Sequence, residues 1–392
     1  MNNFIFHSPT KFVFGKNTEF QVGALLKSYK AKKVLIHYGT GSIKRSGLFD
    51  RVVQSIQKEN IDFVELGGVV PNPRDTLVYE GIELCKKEKV DFVLAVGGGS
   101  AIDSAKAIAA GSKYDGDFWD FYDGKATIED ALGIGVVLTI PAAGSEGSAS
   151  SVITKTDGML KRGHYSPFYR AQFSIINPEL TYTLPSYQTS AGAVDMMGHI
   201  FERYFTKSEN TLFVDRLAEG TLVSIIEAAK VLMDDPTNYE ARSVICWAGT
   251  IAHNGFFGVG RNEDWASHRL EHELSALYDV THGAGLAVIY PAYMKYTIDV
   301  DVQRYKRFAM KVFGVESINK TDKEVALEGI SKLEEFYQSI GMPTRFEGIN
   351  AKKEDIDFLV EKLEENVGQE FGHYQVLNLE DAKNIYLLAC AK

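Results

Sequence analysis

Short apolar runs and helical patterns alternate through the first half of the chain. Residues 33–38 (KVLIHY) predict a strand, 48–57 a helix, 61–66 a strand, 76–87 a helix and 90–96 a nearly continuous apolar strand. That alternation predicts a parallel sheet covered by helices, a Rossmann-like α/β layer. A run ending Leu138-Thr139-Ile140-Pro141 leads into the small-residue stretch AAGSEGSASS, and two further apolar runs follow at 151–154 and 173–176. Strand signals then stop. Pro185 or Ser186 is a start signal for helical periodicity, which continues through amphipathic stretches at 215–233, 240–254 and 324–340. The pattern predicts two domains, an α/β domain over 1–185 and an all-α domain over 186–392.

Composition adds bounds. A chain of 392 residues exceeds what one hydrophobic core usually supports. The formal net charge of −10 argues against nucleic acid as a partner, because neutralising phosphates needs a basic surface. Cys85, Cys246 and Cys390 are too few and too scattered for a disulfide framework or a thiolate metal site, and read as buried thiols in a reducing compartment. The N-terminus lacks a basic segment followed by an apolar one, and no apolar run approaches a membrane span. A cytoplasmic enzyme with a small-molecule partner is the expectation.

Candidate chemistry lies in two segments, GAVDMMGHIFE and DWASHRLEHELSALYDVTHG. On a helix, Asp195 and His199 stand one turn apart on one face, as do His268 and His272, and His282 follows after a break. Asp195, His199, His268 and His282 suit a borderline divalent ion such as Fe(II) or Zn(II), and are too nitrogen-rich for magnesium or calcium. His253, in an apolar helix, reads as a core residue; His7, His37, His164 and His373 fall in turns or termini and are expected to meet solvent.

The sharpest motif of the first half is GGGSAIDSAK, 97–106. It follows a buried strand and opens a helix, so glycines let a phosphate approach the backbone while the helix N-terminus offers N–H donors. Ser100, Asp103 and Lys106 add side-chain donors and acceptors for a diphosphate and ribose. A second loop, Gly39-Thr40-Gly41-Ser42-Ile43-Lys44-Arg45, follows the first strand and holds donors but no carboxylate before Asp50. Facing an adenine ribose, it would favour NADP over NAD; a solvated turn with two surface cations is the other reading.

With these motifs the chain resembles the iron-containing (group III) alcohol dehydrogenases, in particular an NADPH-dependent, butanol dehydrogenase-like branch. The resemblance runs from PTKFVFG (9–15) through the loop 70–73, GGGSAIDSAK and LTIPAAGSEGSASSVIT to the histidine segments. It implies the two-domain architecture shared with dehydroquinate synthase. It also implies that Asp195, His199, His268 and His282 bind Fe2+, with Zn2+ as the alternative, and that NADP(H) is the coenzyme. Gly98, Gly99 and Ser100 would hold the pyrophosphate, with Asp103 toward the nicotinamide ribose. Asn72, Thr139 and Ser145 would line the coenzyme, Lys161 would lie near its ribose or phosphate, and Gly39 and Ser42 near the adenosine ribose. NAD-preferring relatives carry an aspartate where this chain has Gly39. The resemblance further implies a homodimer joined through the strand at 11–14. Asn177 departs from the family, which commonly has Asp there.

The function expected is hydride transfer between NADP(H) and short- to medium-chain aliphatic alcohols or aldehydes such as butanol and butanal. His272 is the candidate catalytic residue, either contacting substrate or nicotinamide or hydrogen-bonding beside the ligands. The alternative is a dehydroquinate synthase-like lyase or cyclase that uses a nicotinamide transiently.

Overall fold

The computed structural model describes residues 1–390. The chain divides into two compact units, His7–Thr183 and Leu184–Lys392, the second also taking in Met1–Phe6.

The first unit is built on strands β1 (Lys11–Phe14), β2 (Lys33–Gly39), β3 (Asp62–Val69), β4 (Phe92–Gly98), β5 (Gly133–Ile140), β6 (Ser150–Lys155), β7 (Leu160–Tyr165) and β8 (Phe173–Ile176). Six of them form one sheet in the order β1-β8-β5-β4-β2-β3, and every pairing is parallel. Val34, Ile36, Leu94, Val96, Val137 and Ile175 bury one face of it against Leu48, Val52 and Ile56. Because β4 is buried along its whole length, its sequence shows no polar alternation. The chain leaves β2 toward β3 on one side and β4 toward β5 on the other. Such a switch point opens a crevice at the carboxyl ends of the two strands, the usual ligand position in open α/β sheets.

Two irregularities mark those ends. β4 and β5 slip between Gly97↔Leu138 and Gly98↔Ile140, which leaves Thr139 as the extra residue. β2 and β3 slip between His37↔Leu66 and Gly39↔Val69. Bulges of this kind re-aim backbone and side chains at sites.

Separately, β6 and β7 form an antiparallel hairpin. β7 escapes the sequence pattern because LKRGHY carries no apolar alternation. Asn177 accepts from Glu179 N at 3.1 Å and donates to the buried Glu19 carboxylate at 2.9 Å. An aspartate at 177 would set two carboxylates against each other.

The second unit is largely helical. Its core joins the helices Ser186–Tyr204, Leu212–Asp234, Tyr239–His253, Ala266–Tyr278, His282–Thr297, Val302–Val312, Asp322–Ser339, Ile356–Val367 and Leu379–Cys390. Local chemistry sets several starts. Asn238 caps Tyr239–His253, Asp301 caps Val302–Val312, and Thr321 with Glu324 forms a capping box for Asp322–Ser339. The unit is not wholly helical: β9 (Glu370–Phe371) pairs with β10 (Leu377–Asn378). Among the described residues no helix is long and apolar enough to cross a membrane.

Candidate functional site

The helix Ser186–Tyr204 follows Pro185 and is buried almost throughout, which places Asp195 and His199 inside the second unit at 5% and 4% exposure. His199 Nε2 stands 3.2 Å from Asp195 Oδ1, and His282 Nε2 stands 3.8 Å from the same oxygen. Ligand atoms of Asp195, His268 and His282 lie within 4.8 Å of one another. The His199 and His268 rings are 4.8 Å apart at their centroids, so all four predicted ligands converge. Burial holds His199 far below the ordinary imidazole value, with the neighbouring His268 and Arg203 adding to the effect, so its ring is neutral and able to ligate.

The donors fit a divalent ion. Asp195 Oδ1 and His268 Nε2 are buried without a hydrogen-bond partner. A buried polar atom left so costs about 1–3 kcal/mol, and two that converge with further donors match a cation's demand for lone pairs.

Two glutamates that sequence reasoning passed over complete the cluster. Glu202 Oε1 lies 2.6 Å from His268 Nδ1. Glu271 takes His282 Nδ1 on one oxygen and the Ser275 hydroxyl on the other. Their signal was present: each stands three residues after a histidine of the cluster, in His199-Ile-Phe-Glu202 and His268-Arg-Leu-Glu271.

His272 is half-buried, with its ring 5.7 Å from that of His282. His253, expected in the core, is half-buried and packs its ring 3.9 Å from that of His199. Trp265 lies beside both, 5.7 Å from His199 and 5.0 Å from His268.

In the first unit, Gly98 caps the helix Gly99–Gly111, whose first turn holds Gly99 and Ser100. A Cβ at Gly98 would come 2.7 Å from Ile140 Cβ, so the glycine lets the turn close against β5. Asp103 and Lys106 follow later in the same helix. Lying one and about two turns into the helix, they face the Ser145–Val152 segment. Asp103 accepts from the Ser145 hydroxyl and from Val152 N at 3.0 Å. Lys106 is fully buried and donates to the Ser145 and Ser150 carbonyls, at 2.7 and 2.8 Å. Thr139 is half-buried at its bulge, while Asn72, Ser145 and Lys161 are buried.

Gly39 ends β2 and Ser42 is exposed at the start of the next turn. The fold brings this loop a carboxylate that linear reading missed. Glu65 of β3 accepts from Tyr38 Oη at 2.9 Å and pairs with Lys44 at 2.8 Å. His37 also departs from expectation. It is buried within β2, bonded through Nδ1 to Leu66 O at 2.9 Å and through Nε2 to Ser104 Oγ at 2.8 Å, and burial pulls it down to about 4.

A parallel sheet with glycine-lined strand ends and a helical unit with a carboxylate–histidine cluster are features suited to a metal-using enzyme of the α/β-plus-helical class. Comparison with known families supplies the next step. Residues 9–178 match "Iron-containing alcohol dehydrogenase" and residues 189–390 match "Fe-containing alcohol dehydrogenase family, C-terminal". The chain belongs to the iron-containing alcohol dehydrogenase family. It is 46% identical to "Probable NADH-dependent butanol dehydrogenase 1" of Bacillus subtilis, over 98% of this chain and 99% of that one. It is 35% identical to "NADPH-dependent aldehyde reductase YqhD" of Escherichia coli, again over 98% and 99%. The crystal structure of NADH-dependent butanol dehydrogenase A from Thermotoga maritima superposes with a TM-score of 0.96 at 44% identity, covering 100% of this chain and 99% of that one.

Proposed function

We propose that this protein is a metal-dependent alcohol dehydrogenase and aldehyde reductase that transfers a hydride between NADP(H) and short- to medium-chain aliphatic alcohols or aldehydes, with butanol and butanal as representatives. The observation that carries the reading is the convergence of Asp195, His268 and His282 ligand atoms within 4.8 Å, beside His199, with Asp195 Oδ1 and His268 Nε2 otherwise unpartnered. Asp195, His199, His268 and His282 would hold Fe2+, or Zn2+ in its place. When bound, the ion supplies Lewis-acid polarisation of the substrate oxygen. The nicotinamide supplies or accepts the hydride. Gly98, Gly99 and Ser100 would present backbone and hydroxyl donors to the pyrophosphate, Asp103 and Ser145 brace one another beside it, and Asn72, Thr139 and Lys161 line the coenzyme. His272, half-buried near His282, is assigned to substrate contact and proton transfer at the substrate hydroxyl.

Two of the relatives above carry butanol in their names and the third an aldehyde. On the coenzyme they divide, NADH in two and NADPH in one. The absence of a carboxylate on the loop itself, with Ser42 and Arg45 exposed there, supports NADP(H), while the Glu65–Lys44 pair removes one cation from the argument. A homodimer is supported by β1, an edge strand that among the described residues pairs only with β8 and ends in the 40%-exposed Phe14. The three unbridged cysteines support a reducing cytoplasm.

The test is oxidation of NADPH and of NADH by apoprotein reloaded with Fe2+ or Zn2+, across an aldehyde series that includes butanal. Metal-dependent consumption of NADPH supports the reading. Substrate rearrangement with no net coenzyme turnover would overturn it in favour of the cyclase alternative, and equal or better rates with NADH would overturn the coenzyme preference.

A further inference from the structure

We infer that Glu202 and Glu271 are positioning residues, each carried by a His-x-x-Glu unit and each fixing the metal-ligating histidine of another helix. The inference rests on the proposed metal site. Residues three apart on a helix share a face, so His199 and Glu202 project together from Ser186–Tyr204, and His268 and Glu271 from Ala266–Tyr278. Each unit therefore carries a histidine for the cluster and a carboxylate that reaches another helix of the cluster.

Glu202 acts on Ala266–Tyr278 as a capping group supplied by another helix. That helix starts at Trp265, which has φ 67° and no side-chain cap. Glu202 Oε2 accepts from Trp265 N at 2.7 Å, and Oε1 accepts from His268 N at 3.2 Å. These are the N-cap and N3 amides, the two donors that a helix's own capping box would divide between two side chains. A carboxylate there also meets the positive end of the helix dipole. The same Oε1 takes the His268 Nδ1 proton at 2.6 Å, which leaves Nε2 as the lone pair facing the cluster.

Glu271 repeats the arrangement from Ala266–Tyr278. It receives His282 Nδ1 and is steadied by the Ser275 hydroxyl. His282–Thr297 approaches so closely that a Cβ at Gly285 would lie 2.4 Å from Glu271 Oε1. Both glutamates are buried, at 2% and 0% exposure. His199 has no such carboxylate: its Nδ1 is unpartnered and its ring rests on His253. The orientation of the ligands thus passes from helix to helix, and the Nε2 lone pairs of His268 and His282 are aimed before any ion arrives.

The test uses Co2+ binding by the full-length apoprotein and 15N-histidine spectra that report tautomers. In wild-type apoprotein, His268 and His282 should both be protonated on Nδ1. Glu202→Gln turns an amide NH2 toward a backbone donor, and Glu271→Gln weakens the hold on His282. Each should lower Co2+ affinity by about 10–100-fold and yield mixed tautomers at its own histidine, with the KM for coenzyme unchanged. Wild-type tautomer fractions need no variant, so Nε2–H at either histidine overturns the inference even if the variants fail to fold. Variants that bind Co2+ as tightly as wild type, with unchanged tautomers, overturn it while leaving the metal site standing. A wild-type chain that binds no ion removes the metal reading and this inference with it.

Discussion

The fully buried Lys106 ammonium donates to the Ser145 carbonyl at 2.7 Å, inside a ring of acceptors that also includes the Ser145 and Ser148 hydroxyls and the Ser148 and Ser150 carbonyls. One cation thereby ties together the small-residue segment from Ser145 to Ser150. Lys106→Met keeps the stem and strands the acceptors, so stability should fall by about 3 kcal/mol or more. Thermal unfolding should show the loss, and the KM for coenzyme should rise as Ser145 loosens. An unchanged melting temperature would mean that the segment holds itself together.

His37 provides a pH test. Its folded value is about 4, against an unfolded value of about 6.5. Between these values the unfolded chain binds more protons, so this contribution is complete above about pH 6.5 and is lost as pH falls toward 4. The full swing is about 3 kcal/mol. Urea unfolding of the first unit should show this slope in wild type, and His37→Gln should flatten it. Parallel profiles for the two proteins would place the acid sensitivity elsewhere.

The candidate ligands were legible because helical spacing is written directly into Asp195-x-x-x-His199 and the His268 segment. The alternating pattern likewise exposed the central strands, whose buried faces demand apolar runs. Contacts between distant segments were not legible. Glu65 meets Lys44 only because β3 pairs beside β2. Lys106 faces inward only because the Ser145–Ser150 segment folds over its helix. His37 sits in a strand that the pattern did reveal, and its burial follows from the partners Leu66 and Ser104 on either side.

Two glycines should respond to alanine with opposite signs. At Gly283 a Cβ would lie 1.9 Å from the Ala191 carbonyl oxygen, a backbone atom that cannot turn aside. Gly283→Ala should destabilise by about 1–3 kcal/mol or more as overpacking. At Gly220, inside Leu212–Asp234, the added methyl meets nothing within 4 Å. Gly220→Ala should stabilise by about 0.5–1 kcal/mol through helix propensity. Melting temperatures of the two variants relative to wild type decide both.

Coenzyme choice can be tested at Gly39. Among the described residues, chain neighbours aside, a Cβ there meets Val69 O at 3.4 Å and nothing else within 4 Å, so a side chain fits with little adjustment. Gly39→Asp places a carboxylate at the strand end, where it would accept from a ribose diol and repel a 2′-phosphate. The kcat/KM for NADPH should fall at least about tenfold, corresponding to about 1.4 kcal/mol, while that for NADH holds or rises. An unaltered NADPH-to-NADH ratio would show that this strand end does not face the ribose.

His268 and His272 share a helix face one turn apart, yet their surroundings differ. His268 is buried and bonded to Glu202, with its remaining nitrogen facing the cluster; His272 is half-buried beside His282. His268→Ala removes a proposed ligand and strands Glu202, so metal stoichiometry should fall together with activity. His272→Ala should keep one ion per chain and lower kcat by about 10²–10⁴-fold, the range for losing a positioned proton-transfer group. Metal content measured beside single-turnover rates separates the two roles. Loss of the ion from His272→Ala would make it a ligand, and a near-wild-type rate would confine it to supporting the ring of His282.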